Sequence, residues 1–121
     1  MEKDMTVEKE QKAVNVLQCL DFSRMEAQTL IFLFKTEKVT ARDIERGTNL
    51  RQPEVSHGTS ALVNRKWVKT SEIQTKGKGR PHYKYYLARP KKEIIDDILE
   101  KIRKKIEQEQ QNLTIIRELV L

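Results

Sequence analysis

At 121 residues, 37% of them apolar, the chain has the size of one domain and can bury a single modest core. Nowhere does it reach about 18 consecutive apolar residues, and Met1 to Glu10 alternates charge instead of forming a secretory core, so a soluble, cytoplasmic protein with no membrane span is expected. A lone Cys19 with two histidines, His57 and His82, excludes an intramolecular disulfide and a Cys/His metal cluster, and the net charge of +6 makes the placement of charge decisive.

The first helix is expected from about Thr6 to Leu20, where Ala13, Val16, Leu17 and Leu20 recur at helical spacing and form one apolar stripe. Cys19, beside that stripe, reads as a buried apolar residue. Ser23-Arg24-Met25-Glu26 has the form of a capping box and opens a helix to about Lys35. That helix is apolar around much of its circumference and should be the central core element.

Thr40-Ala41-Arg42-Asp43 is a second box of the same kind, with Val39 placed to pack on Ile44, and the helix it opens is short. Gly47 is expected to take the positive φ at its end, with Leu50 anchoring the turn. Gln52-Pro53-Glu54 suits a helical first turn, because proline lacks only an N–H that would go unpaired and glutamate complements the helix dipole. The new helix is expected to run to about Arg65.

Two strands follow, Trp67 to Ile73 and His82 to Ala88, joined by Gln74 to Pro81, whose glycines and proline forbid a regular element. Lys91 to Val120 is then one long helical pattern. In it Ile95, Leu99, Ile102, Ile106, Leu113, Ile116 and Val120 follow steps of four and three, interrupted only at Glu109.

Positive charge is confined to the middle of this sequence. Residues 49–92 carry eleven basic side chains against two acidic ones, Glu54 and Glu72, whereas the flanking segments are slightly negative. Such a local field attracts a polyanion, although a charge cluster by itself is as often a solvated face.

The order helix, helix, short helix, turn, helix, basic hairpin resembles the winged helix-turn-helix regulators of the MarR and TrmB type. The resemblance covers roughly residues 20–90. It is carried by Val39-Thr40-Ala41-Arg42-Asp43-Ile44, Leu50-Arg51-Gln52-Pro53-Glu54-Val55-Ser56, Trp67-Val68-Lys69, and Gly77-Lys78-Gly79-Arg80-Pro81 followed by Tyr85. It implies a mostly α, α+β winged helix-turn-helix: a three-helix core, a two-stranded β-hairpin wing, and flanking N- and C-terminal helices. The sequence departs from the family pattern at Thr59, where a bulky apolar residue is usual, and at Lys66, where glycine is frequent. Gly58 weakens the helix by roughly 1 kcal/mol relative to alanine, and either permits a close backbone approach or is merely tolerated.

At 100° per residue Val55, Thr59 and Leu62 share the side of the recognition helix that faces the core. Pro53, Ser56, His57, Ser60 and Asn64 then face outward, with Arg51 and Gln52 at the helix entrance. Small polar side chains let a helix lie deep in the major groove of double-stranded DNA, so these seven are the candidate base-reading set, Arg51 and Gln52 first. Each of them could equally be an ordinary solvated residue. Arg80, on a narrow loop, suits a minor groove, and Lys69, Lys76, Lys78 and Lys84 suit phosphates.

The C-terminal helix would span about 45 Å at 1.5 Å per residue, longer than so small a core can cover. Its stripe, Ile95 to Val120, is therefore expected to pair with a second copy and form a homodimer, to which residues 1–20 could contribute; the alternative is that it folds back on its own domain. Residues 21–90 form the DNA-binding domain and residues 91–121 the dimerisation helix in this reading.

The resulting expectation is a sequence-specific regulator on a pseudo-palindromic site. A protein-interaction or general transcription module and a non-specific architectural DNA binder are the alternatives. No enzymatic constellation or phosphate-cradling loop is present in the sequence, and neither a cofactor nor a metal is expected. No small effector is expected either; one would have to bind between the DNA-binding domain and the long helix.

Overall fold

Three hydroxyl side chains open the first three helices of the computed structural model, which describes residues 6–73 and 82–120. The Lys9 N–H donates to Thr6 Oγ1 at 3.1 Å at the start of α1 (Val7–Cys19). Both predicted capping boxes form, Ser23 with Glu26 at α2 (Arg24–Phe34) and Thr40 with Asp43 at α3 (Ala41–Thr48). Each box satisfies two backbone N–H groups that a helix start leaves without partners. The fourth helix, α4 (Gln52–Asn64), starts differently: Arg51 cannot accept a hydrogen bond, so only the acidic half of a box forms, with the Arg51 N–H donating to Glu54 Oε1 at 2.9 Å.

Three of the helices, α1, α3 and α4, end in one device. At Asp21 (φ 73°), Asn49 (φ 62°) and Lys66 (φ 67°) the backbone turns left-handed. After α1 the Phe22 N–H reaches Leu17 O and the Asp21 N–H reaches Gln18 O. After α4 the Trp67 N–H reaches Leu62 O and the Lys66 N–H reaches Val63 O. These are paired Schellman motifs, and each delivers an aromatic residue into the core. Phe22 and Trp67 stack with ring centroids 5.7 Å apart.

The Arg65 guanidinium lies 3.9 Å above Phe22 and is ion-paired with the buried Glu26. The end of α4 is thus tied to the start of α2. Gly47 does not supply the turn after α3, contrary to expectation; Asn49 does, its N–H donating to Glu45 O at 2.9 Å. Gly47 lies inside α3, where a Cβ would fall 2.0 Å from the Phe32 ring. Its missing side chain makes room for an aromatic ring.

The core is built on α2, with α1, α3 and α4 packed around it. Leu30, Leu33, Ile44 and Leu62 are fully buried, each contributing roughly 1.5–3 kcal/mol by removal from water. Along α1 the buried residues are Val14 and Leu17, whereas Val16 is exposed. Cys19 is exposed too, correcting its expected burial: two residues beyond Leu17, it has rotated about 200° away from the core.

The two expected strands form as β2 (Val68–Ile73) and β3 (His82–Leu87) and pair antiparallel. A third strand, β1 (Val39–Thr40), pairs with the other edge of β3, so the sheet has three strands in the order β1-β3-β2. The chain divides into two compact units, Met1–Pro90 and Lys91–Leu121. The second unit is the helix α5 (Lys91–Glu118), about 42 Å long at 1.5 Å per residue. No described helix is long and apolar enough to cross a membrane.

Candidate nucleic-acid interface

The helix-turn-helix consists of α3, the Asn49–Leu50 turn and α4. Thr48 Oγ1 donates to Ile44 O at 2.6 Å and accepts the Leu50 N–H at 3.2 Å, while Leu50 is buried beneath the turn. These bonds fix the angle at which α4 leaves α3. The Glu54 carboxylate fixes the entrance to α4: Oε1 takes the Arg51 N–H, and Oε2 pairs with Arg24 at 2.9 Å. That backbone bond is the main reason the Glu54 pKa lies below its ordinary value, with Arg24 adding to the effect.

The predicted division of α4 into faces is present. Val55, Thr59 and Leu62 are buried, and Arg51, Gln52, Pro53, Ser56, His57, Ser60 and Asn64 are all exposed. Burial of a polar side chain at Thr59 is made tolerable because its hydroxyl donates back to Val55 O at 2.9 Å. Gly58 permits a close approach of α2: an added Cβ would stand 2.7 Å from Thr29 Oγ1 and 2.8 Å from the Met25 carbonyl oxygen. The exposed face therefore carries two hydroxyls, two amides, an imidazole and one guanidinium, with no carboxylate pointing outward from its middle.

The basic candidates are less unified than their sequence suggests. Lys76, Lys78 and Arg80 lie outside the described residues. Lys69 is paired across the sheet with Tyr86, and Lys84 with Ser71. Because directly opposed residues share a face and alternate along the strand, these two lysines lie on the face opposite the one holding Thr70 and Tyr85. Lys38, which the sequence did not single out, joins that outer face with its ammonium 5.0 Å above the Tyr86 ring.

On the inner face, Thr70, Tyr83 and Tyr85 border a cleft whose other wall is α4. The sequence reading missed these three residues. Counting in twos from the buried Val68 would have placed Thr70 inward and Lys69 outward.

A sequence profile for the family described as "Sugar-specific transcriptional regulator TrmB" matches residues 17–91, which takes in α2 through β3. The chain belongs to the TrmB family. Solved structures with a similar fold include a possible transcriptional regulator from Methanosarcina mazei Go1, with a TM-score of 0.65, 16% identity, and coverage of 93% of this chain and 89% of that one. The MepR protein of S. aureus in its DNA complex aligns at a TM-score of 0.53 with 18% identity, covering 93% and 90% of the two chains. NadR in complex with 4-hydroxyphenylacetate aligns at 0.52 with 10% identity, covering 99% and 93%. A search of curated proteins returned no match. Membership of the TrmB family, together with this architecture, makes the chain a winged-helix transcriptional regulator; family and fold are those of regulators, not of enzymes.

Proposed function

We propose that the chain is a cytoplasmic, sequence-specific regulator that binds double-stranded DNA as a homodimer on a pseudo-palindromic site. The observation that carries this reading is the outward face of α4, where seven small, polar or basic residues are exposed on a helix whose opposite side is fixed in the core. In the major groove, Arg51 and Gln52 at the helix entrance read base edges, Arg51 favouring guanine, and Ser56, His57, Ser60 and Asn64 line the contact behind them with Pro53. The wing residues Lys76, Lys78 and Arg80 bind the minor groove or the backbone. Lys69 and Lys84 add to the positive field that draws the duplex in.

The homodimer would be made through Ile95, Leu99, Ile102, Ile106, Leu113, Ile116 and Val120 of the C-terminal unit. It predicts half-site centres roughly 34–36 Å apart, or a multiple of that. Support also comes from the neighbour solved with DNA, MepR. Neither a cofactor nor an effector enters this reading.

The test is selection from a random duplex library at near-physiological salt, with the Arg51→Ala/Gln52→Ala variant alongside. An inverted repeat should be enriched by the wild-type chain, and the variant should lose preference for it while retaining weak, salt-dependent binding. Retention without sequence preference by the wild type would indicate an architectural binder. No retention at all would leave a protein-interaction module.

A further inference from the structure

A second cleft, of about 260 Å³, is bordered by α1, by the C-terminal half of α2 and by the end of α3. Its floor is apolar: Val14 and Ile31 are buried, and the Phe32 ring joins them. Gly47 lets that ring approach α3, since a Cβ there would collide with it. The lining carries one cation and one anion, Lys35 and Glu10, whose Nζ and Oε2 stand 2.7 Å apart and tie α2 to α1. The Lys35 ammonium is also 5.9 Å from the Phe32 ring centroid, which puts it at the edge of the floor. Gln28 and Asn49 add amides; Gln28 accepts from Arg24 through Oε1, which leaves its amide nitrogen to donate.

Each feature narrows the choice of ligand. The volume is at the lower edge of small-molecule sites, which restricts the occupant to a compact molecule. The floor suits an apolar body. The two charges then exclude most polar heads: a simple anion drawn to Lys35 would face Glu10, and a simple cation drawn to Glu10 would face Lys35. A head with both charges on one carbon satisfies both side chains. The ion pair it parts is partly exposed and contributes little net stability, so separating it costs little.

We infer that this cleft binds a small zwitterion of the α-amino acid class with an apolar side chain. Its carboxylate pairs with Lys35, its ammonium with Glu10, and its side chain rests on Val14, Ile31 and Phe32. Thr48 and Asn49, which also border the cleft, belong to the turn that fixes the angle of α4, so ligand contacts reach the helix-turn-helix directly. Binding requires no DNA. A small effector is not expected from the sequence because three helices assemble the cleft and no local motif marks it.

The experiment titrates the isotope-labelled full chain with L-leucine and follows the backbone amide resonances. Saturable shifts at Lys35, Gly47, Thr48 and Asn49 are expected, with a Kd on the order of 0.1–1 mM for so small a ligand. Two analogues each remove one charge: L-leucinamide lacks the carboxylate and isocaproate lacks the ammonium. Each should bind the wild-type chain roughly tenfold more weakly, the loss of one charge-assisted contact.

Removing the matching protein charge, in Lys35→Met or Glu10→Gln, should lower leucine affinity by a similar factor. Lys35→Met should leave leucinamide binding undiminished, and Glu10→Gln should strengthen binding of isocaproate. Because the analogue series uses the wild-type chain, it decides the matter even if a variant misfolds. No saturable shift with leucine, shifts mapped elsewhere, isocaproate binding as tightly as leucine, or leucine binding unaltered in both variants would each overturn the inference. So would cleft amides that move with protein concentration alone, the mark of a second copy of the chain occupying the cleft.

Discussion

At Gly58, helix propensity and packing pull in opposite directions. Alanine would favour the helical backbone by roughly 1 kcal/mol, yet its methyl group would press on the Met25 carbonyl, a backbone atom of α2 that cannot swing aside. Gly58→Ala is therefore expected to lower stability by about 1–3 kcal/mol, as overpacking does. Denaturant titration checks the sign; a gain would mean that α2 and α4 separate at little cost. Lys66 presents the converse case. Of the three left-handed residues, Asp21 and Asn49 are of types that tolerate that conformation, but lysine is not. Lys66→Gly should raise stability by about 0.5–1 kcal/mol, net of the greater freedom glycine gives the unfolded chain. The same titration would count against this if stability fell. These two sites mark the limit of what local sequence conveys: a glycine within a helix looks like a defect until its neighbour is known. The αL position after a helix looks like a glycine site even where asparagine or lysine fills it.

Helix starts were far more legible than helix ends, because a capping box is closed by residues three apart in sequence. Ser23 with Glu26 and Thr40 with Asp43 could be read directly. The two-residue β1 could not, since it exists only through pairing with β3. The seven outward residues of α4 were legible from helical period alone. The hairpin cleft was not, because the loop from Gln74 to Pro81 drew attention to charge rather than to strand parity. The caps also make a pH prediction. The Asp43 carboxylate is held below its ordinary value of 3.8, chiefly by the Thr40 N–H and then the Thr40 hydroxyl. Glu54 is held below 4.5 by the Arg51 N–H and then by Arg24. Both folded-state values are depressed, so the stabilisation is fully present above the ordinary values and is lost as pH falls through the folded ones. Unfolding midpoints measured from neutral pH downward should therefore drop most steeply below pH 4.5. In Glu54→Gln and Asp43→Asn chains the drop should be shallower, and an unchanged acid limb in both would show that other carboxylates dominate it.

For the whole molecule, the decisive question is what covers α5. Leu99, Ile106, Leu113 and Ile116 are each more than half exposed. Ile115, Leu119 and Val120 widen the apolar surface near the C-terminal end. A helix of about 42 Å has little reason to remain ordered in water with such a stripe uncovered, because most helical stability in proteins comes from packing of the apolar face. The spacing of four and three suits a helix of its own kind, which keeps the seam aligned over several turns. If that is the pairing, a second carboxylate one step from Glu109 should be enough to break it, since it would remove the apolar contact at mid-seam and add to the charge Glu109 already places there. Sedimentation equilibrium is expected to return twice the 14.3 kDa chain mass for the wild type and the single mass for Ile106→Glu. The substitution lies outside the Met1–Pro90 unit, so binding to an isolated half-site should survive while the cooperative preference for an inverted repeat disappears. A monomeric wild type would sink the dimer and, with it, the palindromic site. A dimeric Ile106→Glu chain would place the interface elsewhere, and the exposed Val7 and Val16 of α1 would be the next substitutions to make.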